Sequence, residues 1–315
     1  MKPEEQASQN ALRERKPLVY GKVIRNGMRI VRIEQSYTCN MHCKHCSIRD
    51  MQAKQTRRAM SIDDIEFLAD QAHEIGFSQF VISGGEPLLY PDFDDIVKAI
   101  KPDRFWITTD SNGWHLDQEK AAHLKGIGVD KVQISIDNLD PKVHDEFRQK
   151  QGAWSRAVQA VEYSKAAGLR VLVQTVVDKQ RVYSDELVEF ISNFNKRGVP
   201  VYISYAKPVG AYKGNYDVMI DADDMDHISK LEKEYQVFTH LTPSYDYQGG
   251  CIAMKRMVNI TKYGDLNPCP FMQELTIGNI FEEPLDDIIT RGMTRFKGYI
   301  PVCLMASDKE FIDGL

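Results

Sequence analysis

From Met28 onward, short apolar runs alternate with longer amphipathic segments. The runs at 29–35, 79–83, 104–108, 131–136, 170–177 and 200–205 are brief and flanked by polar or Gly-containing turns, a pattern that predicts strands. Between them, 61–75, 92–99, 117–126, 153–167 and 184–196 carry apolar residues at helical spacing. Ser61 and Asp63 mark a helix start, and Gly76 and Gly168 stand where helices stop. Alternation of this kind predicts an α/β fold of parallel βαβ units with right-handed crossovers. Six strands fall two short of a closed TIM barrel, so the expected architecture is a partial, TIM-like (β/α)6 barrel. Residues 222–236 read as an acidic amphipathic helix, with Met225, Ile228, Leu231 and Tyr235 on one side. Further on, apolar alternation on both sides of Tyr263-Gly264-Asp265 predicts a hairpin, because glycine supplies the positive φ of a tight turn. That hairpin brings Cys251 and Cys269 towards each other. The expected division is a tail over 1–27, the barrel over 28–241, and a small C-terminal domain over 242–315, with the boundary in the polar stretch Thr242–Gly250.

Composition narrows the setting. The chain has 315 residues, 43% hydrophobic and 27% charged, which suits a soluble globular protein. Its formal net charge of −5 argues against a nucleic-acid partner, which demands a basic face. The first twenty residues lack the apolar core of a signal peptide, and no apolar run is long enough to span a membrane. Six cysteines in a chain this long suit metal better than a disulfide framework, so a reduced, cytoplasmic setting is expected.

The chemistry centres on Cys39, Cys43 and Cys46, spaced C-x3-C-x2-C directly after the first strand. Soft thiolates select iron–sulfur clusters or zinc. A structural zinc site needs four protein ligands, and His42 and His45 lie too close within the loop to complete a tetrahedron. Three thiolates hold three irons of a cubane and leave the fourth open. Some forty residues on, Gly84-Gly85-Glu86-Pro87 follows the apolar run Phe80–Ser83. Two glycines at a strand end let a ligand or another backbone approach closely, since no Cβ intervenes.

Together the two motifs resemble the radical S-adenosylmethionine (SAM) superfamily. The resemblance implies that the open iron of a [4Fe–4S] cluster chelates SAM and that Gly84, Gly85, Glu86 and Pro87 contact its amino group. His45 takes the place of the aromatic residue usual before the last cysteine. The resemblance also implies an open barrel side for substrate. It puts Asn112, in the turn after the third strand, near the SAM pocket, and assigns Ser135 and Arg148 to the SAM carboxylate and ribose. Gln174 stands where an asparagine is common. A reduced cluster then passes one electron to SAM, releasing a 5′-deoxyadenosyl radical that takes a hydrogen atom from substrate. The implied electron donor is a ferredoxin or flavodoxin.

The C-terminal pattern, Cys251-x12-Gly264-x4-Cys269 with Gly278–Leu285 after it, resembles the twitch or SPASM domains that bind a second, auxiliary [4Fe–4S] cluster. A helix from about Leu285 to Thr290 is expected. Cys303 is the third candidate ligand; alternatively it donates a hydrogen atom to a product radical. Asp308 could add an oxygen ligand. For the substrate, the leading expectation is a small polar metabolite, oxidised, epimerised or rearranged. The runner-up is a ribosomally made peptide or protein, disfavoured because about twenty-seven residues before the first strand are too few for a peptide-recognition module. A non-catalytic iron–sulfur scaffold is a third reading.

Overall fold

The computed structural model describes residues 30–51, 57–243 and 249–315. The expected tail, and part of the expected boundary at Thr242–Gly250, lie outside them. Strands β1 (Ile30–Ser36), β2 (Gln79–Gly84), β3 (Trp106–Ser111), β4 (Lys131–Ser135), β5 (Arg170–Val177) and β6 (Val201–Tyr205) pair in chain order, every pair parallel. Helices α1 (Ile62–Ile75), α2 (Phe93–Ile100), α3 (Gln118–Gly126), α4 (Pro141–Arg148), α5 (Ala153–Ala166) and α6 (Asp185–Lys196) fill the crossovers. The start of α1 is a capping box in which Ser61 pairs with Asp64, and Gly76 ends the helix at φ 97°.

Beyond β6 a two-residue strand, β7 (Val237–Phe238), continues the parallel order after helix α7 (Ala222–Leu231). At the other edge, β8 (Met257–Ile260) pairs in parallel with β1, and β9 (Asp265–Asn267) and β10 (Gly278–Asn279) follow antiparallel. The expected hairpin is therefore real, and it extends the barrel's own sheet: the order is β10-β9-β8-β1-β2-β3-β4-β5-β6-β7. With β10 and β7 as its two ends, the barrel is open. Helix α8 (Leu285–Arg295) packs on α1, and two short helices, α9 (Leu304–Ser307) and α10 (Lys309–Asp313), end the chain.

Alternation along the strands decides where the core sits. Val31 and Ile33 of β1, and Val132 and Ile134 of β4, are fully buried. Their intervening neighbours Arg32, Lys131 and Gln133 line a cavity inside the barrel. Each buried Val or Ile contributes roughly 1.5–3 kcal/mol, so the layer between sheet and helices stabilises the fold and the lumen can carry charged side chains among its apolar ones. Several boundaries differ from expectation. β3 starts at Trp106 because the Arg104 and Phe105 amides still donate to the Lys101 carbonyl in a turn. The predicted helix over 222–236 ends at Leu231, and α8 continues past Thr290 to Arg295. Among the described residues no helix is long and apolar enough to cross a membrane.

Candidate active site

The loop after β1 carries Cys39, Cys43 and Cys46, and its shape comes from contacts on three sides. Beneath it, the Gly85 amide donates to the Ser36 carbonyl and the Glu86 amide to the Thr38 carbonyl, both at 2.9 Å. A Cβ on Gly85 would lie 2.0 Å from the Thr38 carbonyl oxygen. Glycine at 85 is thus required by the root of the cysteine loop, where the sequence suggested a bound ligand or another backbone. Gly84 holds φ 122°, and a Cβ there would meet the Ser36 carbonyl oxygen at 2.2 Å. From inside the loop, Arg49 Nη2 donates to the His42 and Cys43 carbonyls at 2.6 Å each. From α4, the Phe147 carbonyl accepts the Lys44 amide at 2.9 Å, and the His45 ring stacks on Phe147 with centroids 4.7 Å apart. Burial holds His45 at about 4, so the stacked ring is neutral. Gly210, at the end of the segment after β6 that the sequence places towards the substrate, makes a second close approach: a Cβ there would meet the Cys46 carbonyl at 2.2 Å.

The three thiols line one cavity of about 170 Å³ together with Gly84, Gly85, Asn112, Ser135, Arg148 and Gln174. Glu86 and Pro87 stand behind that wall. Glu86 is buried, and its carboxylate accepts from the Leu88 amide (3.1 Å), the Ser111 hydroxyl (2.9 Å) and the Asn112 amide (2.7 Å). Burial pushes it up to about 7 despite those bonds. Its visible work is to tie the end of β3 to the Gly-Gly turn. Asn112 then donates from Nδ2 to Asn40 Oδ1 at 2.8 Å, bridging β3 to the cysteine loop. Ser135 lies on the cavity wall, and Gln174 contacts the amide of Gln133.

Arg148, which the resemblance assigns to SAM, already has protein partners. Its Nε donates to Asp137 Oδ2 at 2.6 Å, and Nη1 lies 3.7 Å from Cys43 Sγ, with both side chains of the Asp137 pair almost wholly buried. Burial alone would raise Asp137, but the guanidinium beside it holds it down at about 2. Burial pushes the Cys39 thiol up to about 11 and the Cys46 thiol upward. Both shifts favour the thiol form, which a metal must deprotonate on binding. Three soft donors on one cavity wall fit a cubane with one open iron better than a hard cation, although the Asp110 carboxylate shares that wall.

The second cysteine set shares one cavity, although among the described residues no three of the Cys, His, Asp and Glu side chains already stand at metal-holding distances. Cys251, Cys269 and Cys303 line a lumen of about 290 Å³. Cys251 is fixed by its amide donating to the Ile300 carbonyl at 2.8 Å, and a Cβ on Gly250 would strike that same carbonyl oxygen at 2.4 Å. Cys303 arrives at the start of α9, on a segment that crosses over Gly250. Burial drives Cys269 up to about 12, Cys303 to about 11, and Cys251 upward. These donors fit a second cluster on the same grounds as the first. Asp308 is committed elsewhere: its Oδ1 accepts the Phe311 amide at 2.9 Å as the cap of α10.

The two cavities share Arg32, Asp110, Gln174, Ser204, Lys207 and Phe271. Arg32 donates to Glu34 (2.6 Å), Asn259 (2.8 Å) and Ser83 (2.5 Å), joining β1, β2 and β8. The polar alternation of Arg32 and Glu34 in β1 was the sequence signal for this layer. The model of the radical SAM superfamily matches residues 33–192. The chain belongs to the radical SAM superfamily. An iron–sulfur cluster-binding domain model matches residues 251–307. Radical SAM proteins with such a domain use SAM and [4Fe–4S] clusters, one of them auxiliary. The chain is 24% identical over 293 residues to the AdoMet-dependent heme synthase of Methanosarcina barkeri, covering 84% of this chain and 82% of that one. It is 24% identical over 264 residues to the subtilosin biosynthesis protein AlbA of Bacillus subtilis, covering 81% and 58% respectively. In fold it resembles Streptococcus suis SuiB, crystallised with precursor peptide SuiA, with a TM-score of 0.66 at 18% identity over 92% of this chain and 70% of that chain.

Proposed function

We propose that this radical SAM enzyme takes a hydrogen atom from a polar substrate seated in the barrel lumen, between two clusters. One would be held by Cys39, Cys43 and Cys46, the other by Cys251, Cys269 and Cys303. The observation that carries this reading is the shared wall of Arg32, Asp110, Gln174, Ser204, Lys207 and Phe271: a molecule in the lumen lies within reach of both cysteine sets. Reduced cluster and SAM together supply the hydrogen-abstracting oxidant. The protein's part is orientation and exclusion. In this reading the Gly84-Gly85 turn and Asn112 shape the SAM side of the cavity. Glu86 and Pro87 brace that turn from behind, Ser135 and Gln174 face SAM, and Arg148 steadies Cys43. Asp110, Lys131, Gln133 and Tyr202 offer the substrate charged and hydrogen-bonding groups. The rest of the lining is largely apolar, with Ile30, Val81, Leu172 and Met257 on its wall, so the case for a small polar metabolite rests on these few groups.

A second reading, a peptide or protein substrate, is favoured by a separate groove of about 840 Å³ lined by Tyr37, Lys213, Tyr216 and Tyr263, which meets the lumen at Phe271. The fold neighbour SuiB, crystallised with a precursor peptide, supports the same reading. The deciding experiment reduces the anaerobically reconstituted enzyme with dithionite and follows release of 5′-deoxyadenosine from SAM. Panels of polar metabolites and of short peptides are then offered. Faster release with a metabolite, with deuterium from it appearing in the 5′-deoxyadenosine, supports the first reading. The same label arriving only from peptides supports the second, and no SAM cleavage at all overturns both.

A further inference from the structure

The C-terminal cysteines are accompanied by two buried ammonium groups. Lys207, 5% exposed, follows β6 and lines the same lumen as Cys251, Cys269 and Cys303. Its Nζ donates once, to the Tyr205 carbonyl at 2.5 Å, and sits 3.9 Å from the centroid of the Phe271 ring. Burial pushes its ammonium group below the ordinary lysine range, and the groups that act against that are Cys303, Cys269 and Cys251, in that order. Lys255, four residues after Cys251, has a buried Nζ with no hydrogen-bond partner among the described residues; burial pushes it down, and Cys251 acts against that. The Asp110 carboxylate lines the same lumen as Lys207, but the cations acting on it are Arg32 and Lys131; among the described residues no carboxylate acts on either lysine. A buried ammonium group needs an anion, because desolvation otherwise makes the charged form costly. A single carbonyl and a ring face do not meet that need for Lys207, and nothing does for Lys255.

A cubane on three thiolates is that anion: it carries one net negative charge when oxidised, and one-electron reduction adds a second. We propose that Lys207 and Lys255 are the counter-charges of the auxiliary cluster and raise its reduction potential. The inference rests on the reading that Cys251, Cys269 and Cys303 hold that cluster. The sign follows from charge. A fixed cation stabilises the more negative, reduced form more than the oxidised one, so removing it must lower the potential. Hydrogen bonding and nearby charge are established means by which proteins tune such clusters. Both lysines act through the cluster and are positioning residues.

The test uses the full chain carrying Cys39→Ala, Cys43→Ala and Cys46→Ala, so that the C-terminal cluster is titrated without overlap. Lys207→Met and Lys255→Met are compared with Lys207→Arg in a potentiometric titration followed by paramagnetic resonance. Each Met variant is expected to retain its iron. At the potential where the parent is half reduced, its reduced-to-oxidised ratio should fall about tenfold, a shift of about 59 mV for one electron. Lys207→Arg, which keeps the charge, should stay near the parent. Fully loaded Met variants with an unchanged midpoint would overturn the inference. If a Met variant fails to load while Lys207→Arg loads, the charge is what the cluster requires and the inference stands. Failure of both at 207 would show a packing position and overturn it there. Iron missing from the parent itself would sink the cluster assignment, and the inference with it.

Discussion

Gly85→Ala puts one methyl group into the backbone that carries the first cluster ligand. The added Cβ would lie 2.0 Å from the Thr38 carbonyl oxygen, 2.5 Å from its carbon and 2.9 Å from the Tyr37 carbonyl carbon. Carbon–oxygen contacts settle near about 3.3 Å, so the loop root must retreat by more than an ångström. The obstacle is backbone, which cannot swing aside as a side chain could. Retreat breaks two hydrogen bonds, Gly85 to Ser36 and Glu86 to Thr38, each at 2.9 Å. At about 0.5–1.5 kcal/mol each, with a further penalty for buried groups left unpaired, the cost is roughly 2–4 kcal/mol. Thr38 directly precedes Cys39, so the displacement reaches a cluster ligand before anything else. Gly126→Ala is the control: nothing lies within 4 Å of a Cβ there, and the residue ends α3. Anaerobic reconstitution, iron analysis, thermal melting and the SAM-induced change in the cluster's resonance spectrum make up the assay. Gly85→Ala is expected to melt lower, lose most iron at the first site and lose the SAM-induced change, while the C-terminal cluster persists. Wild-type iron and a wild-type SAM response in Gly85→Ala would refute the reasoning.

Changing Cys39, Cys43 and Cys46 together to Ala should abolish release of 5′-deoxyadenosine and remove about one cubane of iron; cleavage that persists in this variant would contradict the assignment. Arg148→Ala leaves Asp137 buried without its cation, so the apo chain should lose roughly 3–5 kcal/mol in denaturant melts, less whatever the Val176 amide restores. Asp137 is held at about 2, below its ordinary value near 4, so its contribution is present above about pH 4 and lost as pH falls through about 2. Arg148→Ala should flatten that acid limb by about 2–3 kcal/mol, and an unchanged limb would show that the pair does not set it. Cys303→Ala separates a ligand from a hydrogen donor: a ligand role predicts loss of iron and an altered spectrum. Intact two-cluster spectra with continued SAM cleavage and no finished product would establish the donor role instead.

Much of the fold was legible because strand and helix periodicities are local. The run over 170–177 is β5 residue for residue, and Ser61 and Gly76 bound α1 as capping chemistry requires. Strand ends were less legible where a turn competes, as at Arg104 and Phe105. Two-residue strands such as β7 and β10 carry too little pattern to be seen at all.

The sequence by itself determined the cysteine spacing, the Gly-Gly-Glu-Pro turn and the hairpin flanked by Cys251 and Cys269, because each lies within one short segment. Only tertiary structure decided what those segments meet. Gly85 answers to Thr38, some forty-seven residues earlier, because a parallel crossover returns β2 beside β1. Arg148 is engaged with Asp137 and Cys43 because α4 packs its last turn over the cysteine loop. Cys303 joins the hairpin cysteines because the terminal segment crosses over Gly250, a position without a side chain to block it. The lumen joining both cysteine sets, largely apolar with a few charged groups set into it, exists because six strands contribute alternate residues to one space. No single strand's pattern shows which residues of another will face it.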